Sequence, residues 1–338
     1  MELTERIKKC IASFYDNYKE STLVVIANTR SDTVKYSKFD LDTADEVEFF
    51  SESEFDEISI QGLRPIKLFS TYYFNELDFI KDILDGKFDL NKVLVFNMAR
   101  NGRKQGKKSL IPSFCDLLKI IYTGSNAFSQ SLCRNKYVYT QFLSVHNLHL
   151  PETFLLNKKS WQHRKPITKF IIKPVAESGS IGVSETIDFA SYLDTQSITH
   201  INNDDMLYQE YICGDEYEVP LFISKESIFP LEPMQIISEK KILDVNTSNS
   251  NSYKYKFIEN RLLSSKMKKI AILVAKLLKI QNYGRVDFRI NEHGEPVIID
   301  ISTTPYLSKN SSFYENFHKV GLSYTNLFEY ILALSVAK

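Results

Sequence analysis

Residues 285–302, RVDFRINEHGEPVIIDIS, constrain this chain more than any other stretch. Arg285, Asp287, Arg289 and Asn291 alternate with Val286, Phe288 and Ile290, the two-residue period of a half-buried strand. Glu292-His293-Gly294-Glu295 has the composition of a turn, with Gly294 free to take positive φ. Residues 297–302 form a second, β-branched run. A hairpin looped at 292–295 places Asn291 opposite Pro296, Asp287 opposite Asp300 and Arg285 opposite Ser302. Carboxylates on directly opposed residues lie roughly 5 Å apart at Cβ and repel unless a positive charge sits between them. A hard cation such as Mg²⁺, which takes oxygen ligands and shares them with phosphates, resolves that repulsion. An exposed hairpin with two solvated acids is the alternative, and the hairpin alone leaves both open.

At 338 residues the chain exceeds one ordinary core, which predicts two or three domains. Apolar residues at 43% and aromatics at 13% suffice for folded cores. Lys+Arg and Asp+Glu both number 42, a balance that argues against a nucleic-acid or membrane-surface binder but allows a local basic cleft. Cys10, Cys115, Cys133 and Cys213 have neither metal-ligand nor disulfide spacing and read as reduced thiols. Residues 1–9 are charged with no apolar run behind them, so no cleavable signal is expected. No apolar run approaches the roughly 20 residues of a membrane span. A soluble, cytoplasmic protein is the expectation.

In chain order, residues 1–20 read as an amphipathic helix with Ile7, Cys10, Ile11 and Phe14 on one stripe. Residues 23–27 form a buried strand leading into a polar loop, 28–32, and 40–60 is acidic and weakly patterned. A helix at 74–84 ends at Gly86, and the strand at 93–97 runs into a basic loop, 100–108. A helix at 113–121 begins at Pro112. This alternation predicts a small α/β unit to about residue 127. Residues 129–145 read as one helix carrying Lys136; strands follow after Pro151 and at 170–174, 207–212 and 217–223. The Asn/Ser tract 246–252 reads as a surface loop. A helix at 262–281 buries Met267, Ile270, Val274, Leu277 and Leu278, and an amphipathic helix at 324–337 closes the chain.

Three further pieces offer chemistry. Lys173 ends a strand and precedes Ser178-Gly179-Ser180-Ile181-Gly182, an ammonium beside a loop whose backbone can approach phosphate oxygens. Such loops are also ordinary turns, and no G-x-x-x-x-G-K-[ST] is present. Gln209-Glu210-Tyr211-Ile212, with Glu216 after the turn, can offer backbone to an adenine edge and a carboxylate to a ribose, or be a plain strand and turn. Lys136 alone reads as a solvated helical lysine.

Taken together, Tyr122-Thr123-Gly124-Ser125, Lys136, Lys173-Pro174 with its loop, the 209–216 segment, and Asp287 with Asp300-Ile301-Ser302-Thr303-Thr304-Pro305 resemble the ATP-grasp superfamily, and within it the D-alanine–D-alanine ligases and their relatives. The resemblance runs over about residues 93–315. It implies a three-domain fold of mixed α/β and α+β class: an N-terminal α/β domain at 1–127, a central subdomain at 128–206 and a C-terminal subdomain at 207–338. It implies ATP and Mg²⁺, one or two ions with Mn²⁺ admissible, as cofactors. Lys136 and Lys173 then contact the α/β-phosphates, Ser178 to Gly182 cover the β/γ-phosphates, Gln209, Glu210, Tyr211 and Ile212 line the adenine slot, and Glu216 binds ribose. Asp287, Asp300 and Ser302 take the metal positions. Arg285 stabilises an acyl phosphate and then an oxyanion, Ser311 helps bind a substrate carboxylate, and Lys241 belongs to a loop at 240–252 that closes over the site.

The chain also departs from that family. Asp300 and Ser302 stand where a glutamate and an asparagine are usual, which puts the second metal in question. Ala27-Asn28-Thr29-Arg30 replaces a Gly-rich first-substrate loop, and Tyr306 replaces a glycine after the last motif. Lys107-Lys108 replaces an acidic pair and reads as a solvated loop, with an acidic substrate as the alternative. The expectation is an ATP-dependent carboxylate–amine ligase, forming amide bonds through an acyl phosphate on amino-acid or small-peptide substrates, but not D-alanyl-D-alanine. Small molecules are the expected partners, not nucleic acid or membrane, and a homodimer is allowed. A catalytically impaired nucleotide sensor, or a ligase for a protein- or carrier-bound substrate, is the alternative.

Overall fold

The computed structural model describes residues 3–33, 48–156, 169–179, 182–184, 187–188, 203–238 and 253–337. The expected closing loop with Lys240 and Lys241, the 246–252 tract, and Ser180 and Ile181 lie outside the described residues.

The chain opens with helix α1 (Leu3–Tyr18), which buries Ile7, Ile11 and Phe14 and leaves Cys10 half-covered. Strand β1 (Thr22–Ala27) then runs between β2 (Phe69–Tyr73) and β3 (Val93–Met98), and β4 (Ile121–Tyr122) extends the parallel sheet beyond β3. Apolar residues fill β1 and β3 without alternation because both faces of a parallel sheet are covered. Between β1 and β2 lie one helical turn (Arg30–Thr33) and, beyond the described gap, α2 (Glu52–Asp56), which widens into a π-helix at Glu57–Leu63. The weakly patterned acidic stretch thus ends in helix, with Ser51 and Glu54 forming a capping box.

Helix α3 (Glu76–Leu84) ends as expected before Gly86, at φ +72°. Helix α4 (Leu110–Leu118) starts earlier than expected, holding Pro112 in its first turn. The single helix expected at 129–145 is two: α5 (Ala127–Arg134) and α6 (Lys136–Ser144). Asn135 separates them in extended conformation and caps α6 by accepting from the Val138 N–H.

An antiparallel sheet follows, in the order β5 (Thr153–Leu156), β8 (Asn203–Glu210), β6 (Lys169–Pro174), β7 (Ile187–Asp188). The last sheet, also antiparallel, has the order β12 (Lys254–Phe257), β11 (Met234–Ile237), β9 (Glu216–Ile223), β13 (Asn282–Ile290), β14 (Pro296–Ser302), with β10 (Ile228–Pro230) on the far part of β9. Helix α7 (Arg261–Leu277) covers it with Met267, Ala271 and Val274. Helices α8 (Ser312–Lys319) and α9 (Tyr324–Ser335) complete the chain. No helix among the described residues is long and apolar enough to cross a membrane.

The closing helix differs from its expected amphipathic form. Every residue from 327 to 335 is buried, because α9 lies between two sheets. Phe328 meets Phe96 of β3 at 5.5 Å between ring centroids, and Tyr330 meets Phe222 of β9 at 4.9 Å. One core therefore joins α1, one face of the first sheet and the C-terminal helices. The border expected at 206/207 falls inside β8, which is hydrogen-bonded into the middle sheet. We propose instead that the division lies in the turn at 211–215.

That turn is tightly set. A Cβ on Gly214 would overlap the Ile290 carbonyl oxygen, backbone that cannot rotate away. Gly294, at φ +74°, has open space around it. Gly294→Ala should cost about 1 kcal/mol from the left-handed backbone alone. Gly214→Ala should lower urea-denaturation stability by clearly more, about 3 kcal/mol. Equal losses for the two variants would refute this packing.

Candidate active site

Strand β13 runs through the middle of its sheet, so each outward residue has a neighbour on both sides. Asp287 faces Asp300 of β14 and Glu218 of β9, and Arg285 faces Ser302. The expected opposition of the two aspartates is present. The turn is not as expected: Ile290, not Asn291, pairs with Pro296, and a register shift after Asp287 restores the alignment at the acids. Five residues close the loop, with Asn291 N–H donating to the Glu295 carbonyl at 2.9 Å.

Three carboxylates thus sit side by side on adjacent strands, and Arg285 holds two of them. Its Nε and Nη2 donate to the two oxygens of Asp287 at 2.7 and 2.8 Å, and Nη1 lies 2.8 Å from Glu218. Burial pushes the Asp287 carboxyl up, and Glu218 and Asp300 add to it against Arg285, to about 8. Burial also acts on Asp300, but the positive charges of Lys136 and Lys173 outweigh it and hold its pKa down. Asp300 accepts from Tyr139 Oη at 3.1 Å and lies 3.5 Å from Lys136 Nζ.

Lys136 owes its place to the break at Asn135, which starts α6 at the lysine. Its backbone N–H donates to Val175 and its Nζ to the Glu177 carbonyl, at 3.0 and 2.7 Å. It is buried, not solvated. Lys173 Nζ donates to the Ile299 carbonyl at 3.4 Å, and burial pushes this ammonium down to about 8. Gly179 and Gly182 take φ +63° and +67°, and a Cβ on Gly182 would lie 2.8 Å from Pro174. Ser178 donates its N–H to Glu48 and accepts from Arg134.

Gln209, Glu210, Tyr211, Ile212 and Glu216 line the same cleft, whose volume is about 250 Å³. Gln209 is buried with its amide on Thr153 Oγ1 at 2.8 Å, and Glu210 accepts from the Glu152 N–H, so neither side chain is fully available to a ligand. Glu216 accepts twice from Arg289, which also donates to the Ile212 carbonyl. Ser302 lines the cleft beside Arg285. Ser311 lines it too, but its hydroxyl caps α8 and donates to the Ser308 carbonyl at 2.6 Å.

Sequence reasoning missed Glu218, Arg289, Glu48, Arg134 and Glu177. The reading of Lys107-Lys108 as a solvated loop is overturned: the two are 1% and 5% exposed. Glu48 lies 3.5 Å from Lys107, 3.1 Å from Lys108 and 2.5 Å from Arg134. Burial opposes its charge, yet Lys108, Arg134 and Lys107 hold Glu48 well below the usual carboxylate range. Glu177 lies 3.3 Å from Arg134 and 3.6 Å from Lys107, closing a buried ion cluster at one end of the cleft.

Among the described residues, no three His, Cys, Asp or Glu side chains enclose a metal by themselves. Mg²⁺ does not need such a cage, since it is commonly held by one or two carboxylates plus substrate phosphates. A row of acids whose central member is pushed up toward protonation, facing two buried lysines, fits a cation carrying phosphates.

The profile of the family described as D-ala D-ala ligase C-terminus matches residues 148–333. The chain belongs to that family. A D-alanine–D-alanine ligase B from Clostridium perfringens is 25% identical over 283 residues, covering 76% of this chain and 87% of that one. The crystal structure of a D-alanine–D-alanine ligase from Bacillus anthracis covers 94% of this chain and 97% of its own at TM-score 0.68 and 19% identity. A D-Ala:D-Ser ligase from Enterococcus faecalis covers 94% and 99% at TM-score 0.66 and 17% identity. The fold is ATP-grasp, and the chain is an ATP-dependent carboxylate–amine ligase that uses ATP and Mg²⁺.

Lys173 yields a pH prediction. Burial favours its neutral form, and a triphosphate held against it would favour the ammonium and raise its pKa from about 8. MgATP binding should therefore take up protons between pH 8 and 9 and weaken as pH rises through about 8, up to tenfold per unit. Calorimetry in two buffers of different ionisation enthalpy measures the uptake. Affinity flat from pH 7 to 9 would remove Lys173 from the phosphates.

Proposed function

We propose that this ligase joins the carboxylate of an amino acid or short peptide to an amine by way of an acyl phosphate, and that its product is not D-alanyl-D-alanine. The observation that carries the proposal is the opposition of Asp287 and Asp300 on the cleft floor with Arg285 between strands β9 and β14. A carboxylate resists amines because its oxygen leaves poorly, and phosphorylation supplies a good leaving group. Bound MgATP would supply the phosphoryl group and the charge that polarises it.

The chain's own residues would position and neutralise. Asp287 and Asp300 hold the metal, with Ser302 as a weaker third oxygen donor. Lys136 and Lys173 face the phosphates, Ser178, Gly179 and Gly182 approach them through backbone, and Tyr211, Ile212 and the backbone of 209–210 border the base. Glu216, steadied by Arg289, faces the ribose. Arg285, whose Nε and Nη2 donate to Asp287 here, would supply guanidinium charge to an acyl oxygen as negative charge develops there. Ser311 would act through the helix start it caps rather than through a free hydroxyl.

Two features support a different product from that of the named relatives. Asn28 replaces an open glycine loop and is locked, donating to Phe74 and Glu76 and accepting from the Arg100 N–H. Tyr306 fills a glycine position, with its hydroxyl on the Glu48 carbonyl. An impaired nucleotide sensor is favoured only by Ser302 and by the clasp of Arg285 on Asp287.

Asp287→Asn keeps the shape and removes the charge. It should lower ADP release in the presence of acid and amine by about 10³-fold or more while the variant stays folded by circular dichroism. Normal ADP release from this variant would overturn the site.

A further inference from the structure

Arg100 takes no part in the hairpin, the phosphate lysines or the ion cluster, although it lines the cleft. It follows β3 and is 4% exposed, with its guanidinium carbon 4.3 Å from the ring centroids of both Phe50 and Tyr306. Among the described residues no acid pairs with it, and its buried Nε has no hydrogen-bond partner. Ring faces compensate a guanidinium only in part, so a buried one without an anion is a costly arrangement. Gln130 presents a second buried donor: its Oε1 accepts from Thr303 Oγ1 at 2.6 Å, while Nε2 has no partner. Lys108 Nζ donates to Thr304 Oγ1 at 3.3 Å.

These three side chains lie along residues 303–306, the segment that carries β14 onward from Asp300. The acids at this end are already engaged. Glu48 is shared by Lys107, Lys108 and Arg134, Glu177 lies beside Arg134 and Lys107, and Glu54 accepts from the N–H and hydroxyl of Ser51.

On the ligase reading above, we propose that Arg100, with Gln130 and Lys108, forms a subsite for a second anionic group on the acid substrate. A carboxylate or a phosphate satisfies the same donors. Thr304 stands four positions beyond Asp300, at most roughly 14 Å of chain, so the subsite lies within reach of an acid substrate activated at the metal acids. A neutral isostere leaves Arg100 and Gln130 without acceptors, the condition under which polar sites discriminate strongly. Lys108 points the same way: burial pushes its ammonium down to about 7, against Glu48, and an arriving anion favours the charged form.

The test is calorimetry on the full chain with Mg²⁺ and the non-hydrolysable analogue AMP-PNP. The probe pairs are glutamate and glutamine, aspartate and asparagine, each in both stereochemical forms, and O-phosphoserine with serine. At least one anionic member should bind about tenfold or more tighter than its neutral partner, and the pair that does so tells carboxylate from phosphate. Arg100→Met keeps bulk between the two rings and should bring that ratio close to one. Arg100→Lys should restore part of it, which a purely structural strut would not require. Equal binding within every pair, or a preference that survives Arg100→Met, overturns the subsite. ADP release with added amines, measured in parallel, separates the two claims. An anion held through Arg100 without turnover leaves the subsite and removes the ligase reading, whereas turnover of neutral acids as fast as dianions does the reverse.

Discussion

Carboxylates from three neighbouring strands, Glu218, Asp287 and Asp300, share one sheet face at a spacing of roughly 5 Å, and this like-charge row sets the terms for everything around it. Left alone, such a row would push at least one acid toward protonation or pull the strands apart. Arg285 opposes that by bonding both oxygens of Asp287 and one of Glu218, yet burial and the neighbouring acids still push the Asp287 carboxyl up to about 8. Lys136 and Lys173 do the same for Asp300 from the opposite wall. Lys136 and Lys173 are themselves buried, so the positions of α6 and β6 are fixed by charge as much as by apolar contact. Removing one partner of such an arrangement leaves an unpaired buried charge, which is more damaging than the net worth of the pair.

The scaffold divides its stability unevenly around that row. The first and last sheets share a large core through α9, so the floor of the cleft rests on the best-packed part of the molecule. Among the described residues, the middle sheet, which carries Lys173 and the Gly-containing loop, buries Leu156, Phe170 and Tyr208 as a cluster of its own. The row of acids thus sits on strands backed by the large shared core.

The hairpin acids were legible because a strand's side chains alternate with period two, which fixes which residues share a face whatever the tertiary context. The turn was less so: a bulge moves the register by one without any mark in the composition, so Asn291 was misplaced while Asp287 was not. The core lysines read as solvated because Lys107, Lys108 and Lys136 find their partners in Glu48, Glu177 and Asp300, far away in the chain. Glu218 and Arg289 could have been found by asking which strand lies on the other side of β13, but sequence order does not give sheet order. Helix α9 read as amphipathic because its few polar residues, such as Glu329, mimic an exposed face, whereas Glu329 is buried and bonded to Tyr15.

The two ends of the cleft carry opposite problems. On the sheet floor three carboxylates share the single guanidinium of Arg285, with Lys136 and Lys173 set against Asp300. At the far wall cations are in excess, since Arg100, Lys107, Lys108 and Arg134 are all buried there while Glu48 and Glu177 supply the paired negative charge. Apolar packing alone would have replaced such groups with residues of similar volume at no loss of stability. Their combination makes sense for a ligand that brings positive charge to one end and negative charge to the other. A metal nucleotide beside an acid with an anionic tail has that polarity. On the subsite proposed above, the electrostatics of the walls, more than their shape, would select the substrate.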